Sequence, residues 1–516
     1  MITLNIQPVK IFGSALVALG LLSACASPAP ELGAVRFKPT PFAPVNQIRE
    51  GAPDADAPAV AVIDINGDEL PDVYLGRAGA SDLLLVQDVA VGWRIHALNA
   101  SEDAPRAALA VDVNGDFRPD LVVARASGLY LFLNRNGGYL NPGYRIAKYD
   151  REHGASARLS AGDINGDGWT DLVYAHLSGE SVQTAQVDLL LNTGKPHRSL
   201  VGFSNMAGYP QTVCCGLSSV LLADINDDRW PDIVLVGRSG PSQVLENLRG
   251  ESFSAREFEA LRDWDNVSAA DYDSDGDLDL LATRNHSGAM ARLLRNDGSF
   301  AFTDVTSQAG VSVPKQISRP TWTDADADGL VDVVLSPTQW LRQVQPGHFK
   351  RLRFGFSEGV DAPDGHSVIA DFDRDGFADQ LIVGSDGSLA LFGNEYKQNH
   401  WVAVRLRGHQ NRSTLGARVK LNTRDGKTII RHQWANSAMP SNHSDELLFG
   451  IGRRTKLSSV EIEWTTGKYT RVDDPLIDRR IGFIEPANPG GRLVALKHPL
   501  LESVKRRTSP PELVCR

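Results

Sequence analysis

Asp64–Asp72 reads DINGDELPD, and the chain repeats that nine-residue phrase seven times. The later copies are DVNGDFRPD from Asp112, DINGDGWTD from Asp163 and DINDDRWPD from Asp224. DYDSDGDLD from Asp271, DADADGLVD from Asp324 and DFDRDGFAD from Asp371 complete the set. Every copy keeps Asp at position 1, Asn or Asp at 3, Asp at 5 and Asp at 9. The starts lie 48, 51, 61, 47, 53 and 47 residues apart. A fixed period of about 50 residues marks a repeat architecture, to be recognised before any local structure is assigned.

Short oxygen-bearing side chains on alternate residues of a tight loop converge on one point. That is what calcium requires, a hard cation taking about six to eight oxygens at roughly 2.3–2.6 Å. The candidate ligands are Asp64, Asn66, Asp68 and Asp72; Asp112, Asn114, Asp116 and Asp120; Asp163, Asn165, Asp167 and Asp171; and Asp224, Asn226, Asp228 and Asp232. The last three loops offer Asp271, Asp273, Asp275 and Asp279; Asp324, Asp326, Asp328 and Asp332; and Asp371, Asp373, Asp375 and Asp379. Position 7 varies freely, so its backbone carbonyl can serve. Gly at position 4 or 6 of most copies fits a loop needing positive φ. The set holds 24 aspartates, three in each of the first four loops and four in each of the last three. Seven calcium ions would add 14 positive charges to a formal net charge of −10, giving about +4. The acidic balance therefore reflects metal sites rather than a surface for a basic partner. The extra carboxylates predict tighter binding in the last three loops.

An EF-hand opens alike but needs a bidentate Glu at position 12 between two helices. Here position 12 is Leu75, Val123, Tyr174, Leu235, Ala282, Leu335 or Ile382. The flanks are β-branched runs such as AVAVID before the first loop and DIVLV after the fourth. The loop thus joins two strands. LYLFLNRNGG, LLLNTG, VLENLRG, RLLRNDG and LALFGNE supply a third strand closing in an Asn/Gly turn. A fourth strand leads to the next loop, which makes one propeller blade. The expected fold is all-β: a seven-bladed β-propeller with calcium-binding hairpin loops, followed by a small β-sandwich-like domain. Blade seven reads one strand short, and AVRFKP at Ala34–Pro39 is the candidate to close it.

These loops resemble FG-GAP/VCBS repeats, the unit of integrin α-chain propellers. FTDVTSQAGV at Phe302–Val311 is similar to phrases in bacterial proteins and in cartilage acidic protein. The resemblance places the propeller at 51–396. From about residue 397 to 485, NHWVAVRLRG, NRSTLGARVKL, LLFGIG and VEIEWTTGK follow in the order of an ASPIC/UnbV domain, which they resemble. Thr465-Thr466-Gly467 replaces a stretch that often holds Pro, and SAMPSNHSDE matches only loosely, so ligand contacts made there in relatives do not carry over.

The first 25 residues read as an export signal. Lys10 precedes an apolar run, Ile11–Leu22, too short for a permanent span. Leu22-Ser23-Ala24-Cys25 resembles a bacterial lipobox, which implies lipidation at Cys25. Ala26 in place of Asp implies the outer membrane or cell surface. Residues 26–50 then form a Pro-rich tether with the ring-closing strand, and 486–516 a basic tail. Cys214, Cys215 and Cys515 leave a vicinal bridge, a tail clip or free thiols open.

No G-x-S-x-G, H-E-x-x-H, Walker A or Rossmann motif occurs, and no catalytic residue is assigned. His366 and His443 read as surface or hydrogen-bonded histidines. Trp169, Trp230 and Trp322 either present faces to sugars or pack the rim between blades. Export and the lack of clustered basic and aromatic residues argue against nucleic acid. Two functions stay open. One is a monomeric, lipid-anchored binding or adhesion scaffold for an unidentified protein or glycan, touching the membrane only through its lipid. The other is an extracytoplasmic enzyme, acting on polysaccharide or in biosynthesis at the propeller channel.

Overall fold

β-Branched runs on both sides of each Asp loop become paired strands. In a computed structural model, residues 36–39 and most of 59–487 are described; the longest omitted internal stretches are 149–156, 357–364 and 436–445. Cys25, Cys215, His443 and Cys515 lie outside the described residues, as does the side chain of Cys214. The described residues form β-strands, with two three-residue 3-10 turns at Glu259–Leu261 and His409–Asn411.

Each loop connects the first two strands of one antiparallel sheet. In blade one these are Val60–Ile63 and Asp72–Leu75, followed by Asp82–Asp88 and Gly92–Leu98. The same order recurs through blade six, which ends at Thr321–Thr323, Asp332–Ser336, Gln339–Gln345 and His348–Arg353. Blade seven takes only Gly365–Ala370, Asp379–Gly384 and Leu389–Asn394 from its own stretch. Arg36–Pro39, from the other end of the chain, pairs antiparallel with Leu389–Asn394, setting Phe37 opposite Asn394. Gly355–Phe356 then adds in parallel beyond it.

Sheets buried on both faces read as continuous apolar runs. Accordingly, VAVI and DVYL of blade one are buried throughout. Each pair of neighbouring sheets shares a core. Ile63 and Ile65 of blade one pack with Leu121 and Phe132 of blade two. At the other seam of blade one, Val60 and Leu75 pack with Val368 and Leu391 of blade seven, so the order of sheets returns on itself as a propeller-like ring.

The C-terminal domain has two sheets. One sets His400–Arg407 between Leu447–Gly452 and, in parallel, Arg479–Ile484. The other runs Thr428–His432, Arg418–Thr423, Leu457–Glu463, Tyr469–Asp473. Val402, Val419, Phe449, Ile462, Trp464 and Phe483 form a core between them.

Candidate metal-binding loops and the domain that covers them

Backbone geometry repeats in all seven loops. Positions 4 and 6 both take positive φ, from Gly67 (73°) and Glu69 (69°) in the first to Arg374 (65°) and Gly376 (93°) in the last. This left-handed backbone strains residues with a Cβ. The fourth loop has no glycine to relieve it and places Asp227 (58°) and Arg229 (74°) there.

Two left-handed turns wind the amides around the side chains. The position-1 carboxylate accepts the N–H of position 6 in every loop, from Glu69 N→Asp64 at 3.0 Å to Gly376 N→Asp371 at 2.7 Å. The position-5 carboxylate accepts the N–H of position 7 at 2.8–3.0 Å. Position 12 lies in the second strand and is fully buried in all seven copies.

Position 9 has a further task. Its carboxylate is at most 2% exposed in each loop. One oxygen accepts the N–H of position 2 at 2.8–3.2 Å. The other accepts, at 2.7–2.9 Å, the N–H of an Asn or Gln on the third strand, or just past it in blade two: Gln87, Asn134, Asn192, Asn247, Asn296, Gln343 or Asn394. The side-chain amides of six of these then reach the position-2 carbonyl of the preceding blade. Asn247 bonds Ile164 O at 2.9 Å, and Gln87 carries the series from blade one to Phe372 O of blade seven at 3.1 Å. Asn192, Asn296, Gln343 and Asn394 do likewise at 2.7–2.8 Å. The seventh, Asn134, is buried with neither amide atom paired. In sequence these Asn residues look like turn formers. Their recurrence at one place in the third strand was the signal for a latch between blades.

Burial raises these carboxylates, against backbone N–H groups that lower them. Asp72, Asp171, Asp232 and Asp279 are pushed up to about 8. Asp271 reaches about 7, chiefly through burial and then the charge of Asp275. In the last three loops, carboxylate oxygens of positions 1, 3 and 9 lie within 4.8 Å of one another: Asp271, Asp273 and Asp279; Asp324, Asp326 and Asp332; Asp371, Asp373 and Asp379. Buried Oδ1 atoms of Asp163, Asp271 and Asp273 have no hydrogen-bond partner. These donor sets fit a metal ion. In loops one, three and four, the position-3 Asn amide instead donates to position 5, at 3.0–3.1 Å.

The C-terminal domain sits on the loop face. Ser413 N donates to Gly168 O of loop three at 2.6 Å, and Arg418 to Gly276 O of loop five at 3.2 Å. Gly452 N bonds Ala327 O of loop six at 2.8 Å, and Gly450 N bonds Asp324 at 3.1 Å. Any side chain at Gly450 would overlap the Ala327 backbone, and one at Gly376 would overlap the Trp401 ring. Arg480 pairs with Asp371 of loop seven and, at 3.1 Å, with Glu446. Arg431 lies 3.7 Å from Asp324. A groove of about 590 Å³ remains between loops three to five and this domain, with Trp434, Glu463 and Tyr469 on its wall. Trp230 also borders it, but its ring packs where a side chain on Gly166 or Gly250 would stand. Trp169 packs on Gly194 of its own blade, while Trp230 fills the rim between blades three and four.

The FG-GAP-like repeat family matches residues 112–174, 224–282 and 271–335, and the ASPIC and UnbV family matches 407–489. The chain carries FG-GAP repeats and an ASPIC/UnbV domain. Loops one and seven lie outside the matched FG-GAP segments, yet fold as the other five do. No curated protein matches the chain. Similar solved structures include an Agrocybe aegerita lectin described as recognising non-reducing terminal N-acetylglucosamine. It is 17% identical, with a TM-score of 0.42, over 58% of this chain and 81% of that one. A BBS1N–ARL6DN complex gives 12% identity and 0.42, over 67% and 94%. The Photorhabdus luminescens Tc holotoxin pore gives 14% and 0.34, over 70% and 18%.

Proposed function

We propose that this chain is an exported, lipid-anchored propeller whose Asp loops are stapled by calcium and which presents a binding surface for a protein or glycan partner. The observation that carries the reading is the sevenfold loop. Seven stretches whose position-7 residues vary hold the same backbone turns, and in the last three the carboxylates of positions 1, 3 and 9 converge. A purely structural turn would not need more buried carboxylates than the chain supplies cations to pair them. Oxygen-only donors select a hard cation, and the carboxylate and carbonyl set fits calcium. The side chains of positions 1, 3, 5 and 9, with the position-7 carbonyl, would hold it. The ion supplies the positive charge that lets these groups stay ionised and close together.

Calcium is a staple in this reading, and recognition falls to surfaces the scaffold holds rigid. The groove at the domain junction has the size of a small-ligand site and an aromatic and polar wall. Cys25, with the apolar run before it, supports anchoring at the outer membrane or cell surface. The test immobilises residues 26–516 and exposes them to cell-surface extracts and a glycan array, with calcium or with chelator. A saturable partner that needs calcium supports the reading. A folded, calcium-loaded protein that captures nothing contradicts it.

A further inference from the structure

The last three loops share a ligand set but differ in counter-charge. In loop six the Arg342 side chain is 3% exposed; it pairs with Asp326 at position 3 and lies 3.4 Å from Asp328 at position 5. Arg431 adds a second cation near Asp324. In loop seven Lys397 pairs with Asp375 and lies 4.0 Å from Asp373, again bridging positions 5 and 3, while Arg480 pairs with Asp371. Each of these loops therefore has four carboxylates and two built-in cations. The formal remainder is −2, the charge of one divalent ion.

Loop five lacks this arrangement. It holds five carboxylates, Asp271, Asp273, Asp275, Asp277 and Asp279, because position 7 is also acidic. Among the described residues none of the five has a contact ion pair; the charges of Arg431, Arg295 and Arg418 reach Asp271, Asp273 and Asp277 only at longer range. Asp271 is 5% exposed, and its Oδ1 has no hydrogen-bond partner.

We propose that loop five is the tightest and first-filled calcium site of the ring, and that Arg342 and Lys397 are resident counter-cations lowering the calcium demand of loops six and seven. The proposal rests on the calcium reading above. Affinity in such loops follows uncompensated ligand charge rather than carboxylate number alone. Arg342 and Lys397 occupy the place that an Asn amide fills in loops one, three and four, between positions 3 and 5.

The test strips the full chain with chelator and titrates it with calcium in a calorimeter, beside single variants. Asp273→Asn gives loop five the position-3 residue of the first four loops, so the substitution suits the fold, and circular dichroism checks this. It should weaken the tightest binding step roughly tenfold. Asp326→Asn and Asp373→Asn should leave that step unchanged. Arg342→Gln and Lys397→Gln should each tighten a later step. A tightest step that survives Asp273→Asn, or is lost in Asp326→Asn or Asp373→Asn, overturns the proposal while the calcium reading stands. No calcium uptake by any form overturns both.

Discussion

Loops one to four and loops five to seven share one backbone path but live in different surroundings. In the first group position 3 is Asn, and the position-1 Asp is partly open to solvent. In the second, position 3 is Asp, and the position-1 residues Asp271, Asp324 and Asp371 are 5–6% exposed. The C-terminal domain contacts both groups, but it lays Gly450, Gly452 and Arg480 directly on loops six and seven. More charge thus stands where there is less water. That combination is stable only if a cation travels with it, whether a guanidinium from the chain or an ion from outside. Loop composition follows the cover above it as well as the ligand geometry within it.

The position-9 residues offer the largest test, because there the two groups should not differ. Asp72 and Asp332 each hold two backbone N–H groups in a buried setting. Asp72→Ala and Asp332→Ala should each lower stability by about 2–5 kcal/mol, read by denaturant unfolding, since each orphans two buried donors. A much smaller loss at Asp72 would mean that the open loops rely on position 9 less than the geometry states.

The latches sharpen the comparison within the ring. Asn247→Leu removes a bond from blade four to blade three and should destabilise by about 1–3 kcal/mol. Asn134→Leu, where the amide is unpaired, should be close to neutral. Parallel thermal melts of the two variants would show the gap.

pH separates the metal-free from the loaded state. Asp72, Asp171, Asp232 and Asp279 rise to about 8 when folded without metal, from an ordinary value of 3.8. The folded form then holds protons that the unfolded chain releases, so stability is fully present below about pH 4 and is lost as pH climbs toward 8. In chelator the melting temperature should fall between pH 5 and 8. With saturating calcium that fall should shrink, and calcium binding at pH 7 should release protons into a weakly buffered solution.

The smallest effect concerns backbone strain in the fourth loop. Arg229→Gly relieves a side chain held at φ 74° and should stabilise by about 1 kcal/mol. The equivalent Gly168→Ala in loop three should do the reverse, and chemical denaturation would resolve both.

Local pattern made much of this legible in the sequence. The Asp spacing marked the loops, and β-branched runs marked their flanking strands. WVAVRLRG, LLFGIG and VEIEW marked strands of the C-terminal domain. Other features depend on residues far apart in the chain and obey no local period. Arg342 on Asp326, Arg480 on Asp371 and the Asn latches between blades are of this kind. So is the seating of Gly450 over loop six, because a glycine shows in sequence only that space is free. Tyr469–Asp473 and Arg479–Ile484 form strands that the local pattern does not announce, because short, charged stretches carry a weak alternation signal.

Calcium dependence of the intact fold tests the central claim most directly. The chain should be melted in chelator and in calcium, with bound calcium counted by elemental analysis after dialysis. The account predicts several calcium ions per chain and a large rise in melting temperature on loading. A chain that binds no calcium and melts at the same temperature in both conditions would contradict it.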